Sequence, residues 1–313
     1  MDAVSSGDRE IFGRIIHPKL LIPHIRTLDR GEVVGAASIL YDFLKGRVRV
    51  PERIERAVSL YPSITEILAS VGFLENIVGV SFWCKHLIKK VKGIPSVASA
   101  TKVDYERLRS LNPDLIFAST GIQQDLAIEL HQRGFNVYLV PLPKSLYGIL
   151  DNIMVVGSLV GRREEAGKLV EKLVDELKAY RYEGRREERP KVYVELWPDR
   201  FPTTFGRLTF IDDLIYTAGG LNIFSKAVGF FKPDFDEVSR GDPDLMIFLS
   251  ERRMDAEEVK PLIARRGWSD VKAVREGRVW CARGRELPLT HSGPSFTRAL
   301  KILSEKFREV KAG

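Results

Sequence analysis

The chain is poor in the residues that build disulfide frameworks, membrane spans and metal sites. Its 313 residues include only two cysteines, Cys84 and Cys281, which lie far apart and form no Cys-x-x-Cys pair, so the sequence offers no disulfide framework. No apolar run reaches the roughly 18 residues that a transmembrane helix requires. The five histidines lack the spacing of metal ligands, and we therefore expect no bare metal site; they are His17, His24, His86, His131 and His291.

Catalytic signatures are absent as well. The sequence contains no Gly-x-Ser-x-Gly motif, no P-loop and no His-Glu-x-x-His motif. We therefore expect no catalytic residues, no enzymatic activity and no intrinsic cofactor. The net charge of +7 comes from 49 basic and 42 acidic residues. Because these charges are interleaved, as in residues 185–189, they indicate a solvated surface rather than a nucleic-acid-binding patch.

The first residues show no recognisable export signal. They lack the apolar core of about 7–15 residues and the cleavage site of a signal peptide. The nearest apolar stretch, residues 33–44, contains Asp42. We expect either that the protein stays in the cytoplasm or that the natural chain starts further upstream, so its localisation is left open. Residues 1–41 form an N-terminal extension by this interpretation, with a helix predicted over residues 31–44.

The strongest periodic signal lies in the middle of the chain. Over residues 163–181, apolar side chains recur at the i, i+3, i+4, i+7 spacing of one helical face. Glu164 and Lys168 form a favourable pair on the opposite face, and Gly161 and Gly184 flank the segment. The pattern predicts one helix of about 30 Å, at about 1.5 Å per residue.

The same order of motifs occurs on both sides of this helix. Residues 66–72 and 104–117 precede it, and residues 213–219 and 234–248 follow it. Each half contains a helix ending in Gly, a short helix capped by Asp, a Pro-Asp pair and a buried strand. Such a repeat predicts two similar lobes and one stiff connector. The predicted boundaries are an extension (1–41), an N-terminal lobe (42–160), a connecting helix (161–184) and a C-terminal lobe (185–313).

Strands and helices alternate in both predicted lobes, which is typical of α/β folds with mainly parallel sheets. Loops that follow such strands line a crevice at the carboxyl edge of the sheet. Ser63 and Glu66 are expected to form a capping box at the start of the first helix. The predicted strands cover residues 46–51, 56–60, 77–81, 115–118, 137–141, 191–196, 245–249 and 278–281.

Several short segments, in a fixed order, carry a family likeness. They are Tyr-Pro-Ser at 61–63, Thr-Glu at 65–66, Val-Gly-Val-Ser at 78–81, Asn-Pro-Asp-Leu-Ile at 112–116, Thr-Phe-Ile-Asp-Asp-Leu at 209–214, Gly-Gly-Leu-Asn-Ile at 219–223 and Gly-Pro at 293–294. From about residue 42 to the end, the chain resembles the cobalamin and iron-siderophore binding proteins of ABC importers. The resemblance implies two Rossmann-like lobes joined by one long α-helix, with the ligand bound between them.

The function implied by this resemblance is capture of a metal chelate (cobalamin, haem or iron-siderophore) and its delivery to the permease dimer of an ABC importer by a monomeric binding protein. The alternative is a cytoplasmic relative that uses the same fold to bind or modify a corrinoid or another cofactor. Fold alone does not choose between the two.

A large chelate requires an apolar cleft with a few polar anchors. Trp83 matches a family pocket position that is usually aromatic, although a partly buried core role fits it too. His291 lies in the last cleft loop and either contacts the ligand or coordinates a tetrapyrrole metal, or is a plain surface histidine. Ser119 stands where cobalamin receptors carry an aromatic residue, which favours another chelate. The full set of expected ligand-binding residues is Tyr61, Trp83, Ser119, Thr120, Trp197, Phe230, Phe231 and His291.

Two acidic residues occupy the same position in the two repeats. Glu106 and Asp236 lie in the first turns of helices that Asp104 and Asp234 are expected to cap. Acids at this position complement the helix dipole by about 0.3–1 kcal/mol. The family resemblance implies a second role, in which one acid per lobe contacts arginines of the permease.

Overall fold

The computed structural model describes residues 38–41, 47–99, 102–198, 201–250, 254–284 and 286–312. Ser38–Tyr41 form strand β1, which pairs antiparallel with β2 (Arg47–Val50). The helix predicted over residues 31–44 is therefore wrong at 38–41. This segment contains an isoleucine and a tyrosine, residue types that favour strands, and it pairs with the alternating segment of β2. The rest of that predicted helix, and of the extension, lies outside the described residues.

The first lobe is built on a five-stranded, all-parallel sheet. Its strands are β3 (Ala57–Ser59), β4 (Ile77–Ser81), β5 (Ser96–Ala98), β6 (Leu115–Ser119) and β7 (Val137–Val140). Its helices are α1 (Pro62–Ser70), α2 (Phe82–Leu87), α3 (Tyr105–Ser110) and α4 (Gln124–Gln132). The strand order is β5-β4-β3-β6-β7, so the direction of winding reverses between β3 and β6.

The chain then crosses once to the second lobe through α5 (Leu146–Leu159) and α6 (Arg163–Tyr180). Helix α6 is the long helix that the periodicity predicts, and the Glu164–Lys168 pair forms at 2.7 Å. It lies against α5, where a Cβ on Gly157 would approach the Ala166 Cβ to 2.5 Å. This close contact makes the connector a pair of packed helices rather than a free-standing rod.

The second lobe repeats the architecture with a four-stranded parallel sheet in the order β10-β8-β12-β13. Its strands are β8 (Lys191–Leu196), β9 (Thr204–Phe205), β10 (Leu221–Asn222), β11 (Phe230–Phe231), β12 (Leu245–Ser250) and β13 (Val279–Arg283). Its helices are α7 (Phe210–Ala218), α8 (Phe235–Gly241), α9 (Ala256–Arg265), α10 (Lys272–Arg275) and α11 (Phe296–Ala312). The two-lobed α/β fold with mainly parallel sheets is thereby confirmed.

Both sheets are buried on both faces, as expected for parallel sheets. In β6, Phe117 faces a large cluster that extends into the second lobe, whereas Ile116 faces a cluster confined to the first lobe. In β8, Val194 faces the same large cluster, and Tyr193 faces a cluster confined to the second lobe. A single continuous apolar core therefore joins the inner faces of the two sheets.

The predicted repeat is visible in backbone detail. Asn112 and Asp242 both adopt a left-handed conformation, with φ of 41° and 42°, just before the Pro-Asp pairs. The next acid of each pair accepts a backbone N–H at the start of a neighbouring strand, Asp114 from Arg56 and Asp244 from Lys191. The two lobes thus use the same turn to return the chain into the sheet.

The predicted capping box at the first helix is wrong. Helix α1 begins at Pro62 with Tyr61 as N-cap and has no side-chain cap. Proline at the first helical position leaves fewer N–H groups to satisfy. The Glu66 carboxylate is consequently available for contacts elsewhere, and it reaches the second lobe.

Candidate ligand-binding cleft

A cavity of about 370 Å³ lies between the lobes at the carboxyl ends of the strands. The first lobe supplies Leu60, Tyr61, Pro62, Trp83, Leu87, Ile122, Gln123 and Leu142. The second lobe supplies Leu196, Trp197, Phe210, Ile211, Phe230, Thr290 and His291. Most of these side chains are apolar or aromatic, so the cavity suits a ligand with a large apolar body.

The sheet topology explains where the cavity forms. In the first lobe, the loops after β3 and β6 flank the point at which the strand order reverses, and both contribute wall residues. In the second lobe, the reversal lies between β8 and β12, and the loop after β8 contributes Trp197. Ligands of open α/β sheets bind at such points because the diverging loops leave a crevice there.

Trp83 is half-buried in the first turn of α2. The Ser81 side chain caps this helix by accepting the Cys84 N–H. The indole packs edge-on against Phe82 at 5.7 Å and against His86 at 5.8 Å between ring centroids. The side chain is therefore fixed from one side while its remaining surface faces the cavity.

Trp197 faces the cavity from the second lobe and is 43% exposed. Its φ of 50° places a bulky residue in the left-handed region, which is an uncommon conformation that costs free energy. The Trp197 N–H donates to the Leu249 carbonyl at 2.9 Å, continuing the sheet ladder. The following loop returns through a bridge between Leu196 and Thr203.

A buried ion pair between Glu195 and Arg266 holds Pro198, the residue that follows Trp197. The Arg266 guanidinium donates to both oxygens of Glu195, at 2.9 and 2.8 Å, and to the Pro198 carbonyl at 2.8 Å. It stacks over Phe235 and Trp268 at 4.2 and 4.9 Å from the ring centroids. Burial raises the pKa of the Glu195 carboxyl, although the charge of Arg266 opposes that effect. Sequence analysis missed this pair, whose only signal is one acid inside an apolar strand.

His291 joins the two lobes beside the cavity. Its Nε2 lies 2.7 Å from Oε2 of Glu66. The same oxygen accepts hydrogen bonds from the backbone N–H of Ser295 at 3.3 Å and from the Ser295 hydroxyl at 3.1 Å. Burial would raise the pKa of Glu66, but the hydrogen bond and charge of His291 and the Ser295 bonds outweigh it and lower the pKa. A Cβ on Gly293 would approach the same oxygen to 2.4 Å, so any larger residue at this position would displace the Glu66 carboxylate.

Three of the expected ligand-binding residues lie outside the cavity wall. Ser119 is buried, and its N–H donates to the side chain of Gln123 at 3.1 Å. The Thr120 hydroxyl accepts the Leu142 N–H at 2.7 Å and so holds a loop in place. Phe231 packs on Phe224 on the opposite side from its neighbour Phe230, because successive strand residues point to opposite faces.

The structure brings the other five expected residues together, and they are Tyr61, Trp83, Trp197, Phe230 and His291. Several wall residues were not foreseen. Two of them, Ile122 and Gln123, belong to the loop after β6, and Ile122 is 66% exposed. The position of this loop at the edge of the sheet is predictable from the end of the strand. Which of its side chains turn toward the cavity depends on the loop conformation, which the sequence does not reveal.

The cleft carries little reactive chemistry. Burial, and to a lesser extent the nearby Cys84, raise the pKa of Tyr61, so its phenol is neutral at physiological pH. Within the described part of the chain, no three His, Cys, Asp or Glu side chains converge on one point that could hold a metal ion. Tyr61, Gln123, Thr290 and His291 supply polar groups in an otherwise apolar wall.

The two repeat-related acids lie at the starts of short helices, as predicted. Glu106 is exposed on α3, where the Asp104 side chain accepts the Arg107 N–H at 3.0 Å. Asp236 is exposed on α8, where Asp234 accepts the N–H groups of residues 236 and 237 at 2.9 and 3.3 Å. Both carboxylates are thus accessible from solvent.

None of the described helices has the length and apolar composition needed to cross a bilayer.

Comparison with known proteins agrees with this architecture. A substrate-binding lipoprotein of an ABC transporter from Bacillus subtilis is 26% identical over 264 residues, covering 82% of this chain and 81% of that protein. The vitamin B12-binding protein of Vibrio cholerae is 25% identical over 234 residues, covering 74% and 81%.

Solved structures show the same fold. The apo form of the periplasmic haem-binding protein RhuT from Roseiflexus sp. RS-1 superposes with a TM-score of 0.69 at 25% identity, covering 82% of this chain and 99% of that one. The periplasmic vitamin B12-binding protein BtuF of Vibrio cholerae gives a TM-score of 0.66 at 21% identity, covering 84% and 100%. The family model for periplasmic binding proteins matches residues 58–284. With a match over most of its length, the chain belongs to the periplasmic binding protein family.

Proposed function

We propose that this protein is the substrate-binding component of an ABC importer and captures a metal chelate with a large apolar body. The observation that carries the proposal is the inter-lobe cavity, in which Trp83 of the first lobe and Trp197 and Phe230 of the second all line one apolar space. Aromatic rings on both sides suit a flat macrocycle, because they contribute large contact areas with little loss of side-chain entropy.

The similar proteins support this ligand class. One relative is named for binding vitamin B12 and one similar structure for binding haem, and both ligands are tetrapyrrole chelates. Ser119 is buried and has no aromatic ring to offer, so haem or another chelate is favoured over cobalamin. His291 and Tyr61 supply polar contacts at the edge of the apolar wall.

Delivery requires a surface that the importer recognises. Glu106 and Asp236 are exposed at equivalent positions of the two lobes. One acid per lobe would match arginines on the two halves of a permease dimer and fix the orientation of the bound protein. The chain acts as a monomer in this scheme.

The decisive experiment is a titration of the purified protein with iron protoporphyrin IX, cyanocobalamin and a ferric siderophore. The chain has four tryptophans, of which two line the cavity, so a bound chelate should quench a large part of the emission. Ferric ion alone is the control and should have no effect. If none of the three chelates binds with a Kd below about 100 μM, the proposed ligand class is wrong. Native mass spectrometry of protein isolated from its own host would then identify the ligand directly.

A further inference from the structure

Each lobe places an arginine over the aromatic residue that begins its acid-bearing helix, which is α3 in the first lobe and α8 in the second. The Arg133 guanidinium lies 4.1 Å from the ring centroid of Tyr105, the first residue of α3. The Arg266 guanidinium lies 4.2 Å from the ring centroid of Phe235, the first residue of α8. Each arginine directly follows the last residue of a helix, α4 or α9, so the two stacks occupy equivalent positions of the repeat.

The remaining bonds of the two arginines lead to different places. Arg133 donates from Nε and Nη2 to Glu129 of its own helix, at 3.1 and 2.9 Å, and this pair is exposed to solvent. Arg266 instead points into the second lobe, where its side chain is only 5% exposed. Its Nη2 donates to the Pro198 carbonyl at 2.8 Å, and Pro198 follows Trp197 of the cleft wall. Arg266 thus connects the acid-bearing helix of its lobe to the cleft, whereas Arg133 connects its helix to α4.

A single strand position accounts for this difference. Arg56 and Lys191 occupy equivalent places in the two lobes, since each donates its N–H to the acid of a Pro-Asp pair. Counted from these positions, Leu60 of the first lobe corresponds to Glu195 of the second. Leu60 packs among apolar side chains, whereas both carboxylate oxygens of Glu195 accept hydrogen bonds from Arg266. Because a buried guanidinium needs such a counter-charge, the acid in β8 draws the arginine toward the cleft.

Both ends of this connection are closely held. At one end, the Trp268 ring packs 5.4 Å from Phe235 between centroids, and its Nε1–H donates to the Phe235 carbonyl at 2.9 Å. Arg266 also lies over the Trp268 ring, 4.9 Å from its centroid. At the other end, Trp197 has the left-handed backbone with φ of 50°, a conformation that persists only where its surroundings impose it. Trp197 is therefore the point at which a change in the cleft would reach Pro198 and the arginine.

We infer that Arg266 is a positioning residue that couples the ligand cleft to α8, and that Arg133 provides no equivalent coupling in the first lobe. The inference rests on the proposed function, because it takes Trp197 as a ligand contact and Asp236 on α8 as a permease contact. A ligand that contacts the Trp197 indole shifts the loop that Arg266 holds, and the start of α8 moves with the guanidinium. The permease then detects ligand occupancy through Asp236, while Glu106 supplies a contact that is the same with and without ligand. By linkage, the permease alters ligand affinity through the same arginine.

Hydrogen exchange of the full chain, followed by mass spectrometry, tests the coupling without a permease. The readout is the rate of amide exchange in α8 compared with α3, and exchange in α11 reports global stability. The connection is broken by Phe235→Leu, which removes the ring under Arg266 and leaves the buried ion pair in place. Tyr105→Leu is the matched control, because it removes the equivalent ring under Arg133.

The first arm of the experiment needs no ligand. Trp197→Gly releases the cleft loop, since glycine adopts the left-handed backbone without steric cost and lacks the indole. It should speed exchange in α8 by at least about fivefold, the lower end of typical coupling, and leave α3 unchanged. Phe235→Leu should abolish this effect, whereas Tyr105→Leu should preserve it. An unchanged α8 in Trp197→Gly, equal changes in α3 and α8, or the same effect in the Phe235→Leu background would overturn the coupling.

The second arm adds iron protoporphyrin IX, with binding followed by tryptophan quenching. The porphyrin should slow exchange in α8 in the wild type and in Tyr105→Leu, but not in Phe235→Leu, although all three bind it. Porphyrin binding that leaves α8 exchange unchanged in the wild type would overturn the coupling and leave the proposed function intact. Failure of the porphyrin to bind would count against the proposed ligand class, and the first arm would still decide the coupling.

Discussion

The two cleft tryptophans are held by different local structures. Trp83 lies in the first turn of a helix that Ser81 caps, and its position follows from the end of strand β4. Trp197 depends on a left-handed backbone with φ of 50°, on the ladder bond to Leu249 and on the loop that Arg266 fixes through Pro198. The first arrangement could be predicted from sequence, and the second could not.

Replacing Trp83 should weaken chelate binding without unfolding the protein. We expect Trp83→Ala to reduce the free energy of binding by about 1–3 kcal/mol, as for a buried aromatic anchor. The measurement is a calorimetric or fluorescence titration with iron protoporphyrin IX. Trp280→Phe is the matched control, because Trp280 is partly buried on β13 and lies outside the cleft wall. Unchanged affinity in Trp83→Ala would assign this residue to packing alone.

The Glu66 carboxylate should make stability depend on acid pH. Its pKa is lowered in the folded protein, so its contribution is present above the unfolded pKa of about 4.5 and is lost as pH falls through the lower folded value. The difference in unfolding free energy between wild type and Glu66→Gln should be constant from about pH 7 to pH 5 and shrink below about pH 4.5. Denaturant unfolding at each pH measures it, and a difference that stays constant down to pH 3 would contradict the prediction.

At the scale of elements, strand β8 combines an apolar core strand with one buried acid. Val192, Val194 and Leu196 face the shared core, and this alternation is what identifies the strand in the sequence. Glu195 points to the other face, where its side chain is completely buried beside Tyr193 and Arg266. The partner arginine comes from the end of α9, 71 residues away in the chain, so local patterns contain no sign of the pair.

Removing Arg266 should destabilise the second lobe strongly. Arg266→Met leaves the Glu195 carboxylate buried without its counter-charge, and we expect a loss of about 3–5 kcal/mol in unfolding free energy. The double variant Glu195→Gln/Arg266→Met should recover part of that loss, because the unpaired charge is gone. Lys272→Met is the control, since its pair with Asp244 at 2.6 Å is partly exposed and is worth about 1 kcal/mol or less. Urea unfolding distinguishes these cases, and similar losses in Arg266→Met and Lys272→Met would refute the prediction.

At the scale of the whole molecule, the lobes are joined by non-covalent contacts in addition to the single crossing of the chain through α5 and α6. The shared apolar core, the Glu66–His291 contact and a hydrogen bond of 3.3 Å between Ser292 and Ser63 all link them. Helix α5 contributes as well, because the Leu146 N–H at its start donates to Asp213 on α7 at 2.8 Å. These links oppose a large opening of the cleft.

Ligand binding should therefore change the overall shape only slightly. Two-domain binding proteins can close around their ligands by hinge motion, whereas here the packed helices α5 and α6 and a continuous apolar core resist such a motion. Small-angle X-ray scattering with and without bound chelate should give radii of gyration that agree within about 0.5 Å, given a radius of about 20 Å for a chain of this length. A decrease of about 1 Å or more would show that the connector bends.

Docking to a permease should require both exposed acids. Glu106→Ala combined with Asp236→Ala should abolish capture of the cognate permease, because each carboxylate would lose charge-assisted bonds of about 1.5–3 kcal/mol. Ligand affinity should be unchanged, since neither residue lines the cleft. Pull-down of the permease by wild type and double variant measures the effect. Equal recovery would leave both acids as helix-start residues and would favour the cytoplasmic alternative.

The sequence by itself determined the architecture. Helical periodicity identified α6, the repeated Gly, Asp-cap and Pro-Asp motifs identified two lobes, and alternation of strands and helices identified parallel sheets. Strand ends also located the cleft and five of its wall residues, among them Trp83 and Trp197. These features were predictable because each depends on neighbouring residues and on the fixed geometry of helices and strands.

Only the tertiary structure decided which side chains meet across the chain. Glu66, expected to cap its own helix, contacts His291 at a separation of 225 residues, and Glu195 pairs with Arg266. Ser119 and Thr120 follow a strand end yet form hydrogen bonds within the first lobe. A carboxylate or hydroxyl has several possible partners of similar energy, and the packing of distant elements selects among them.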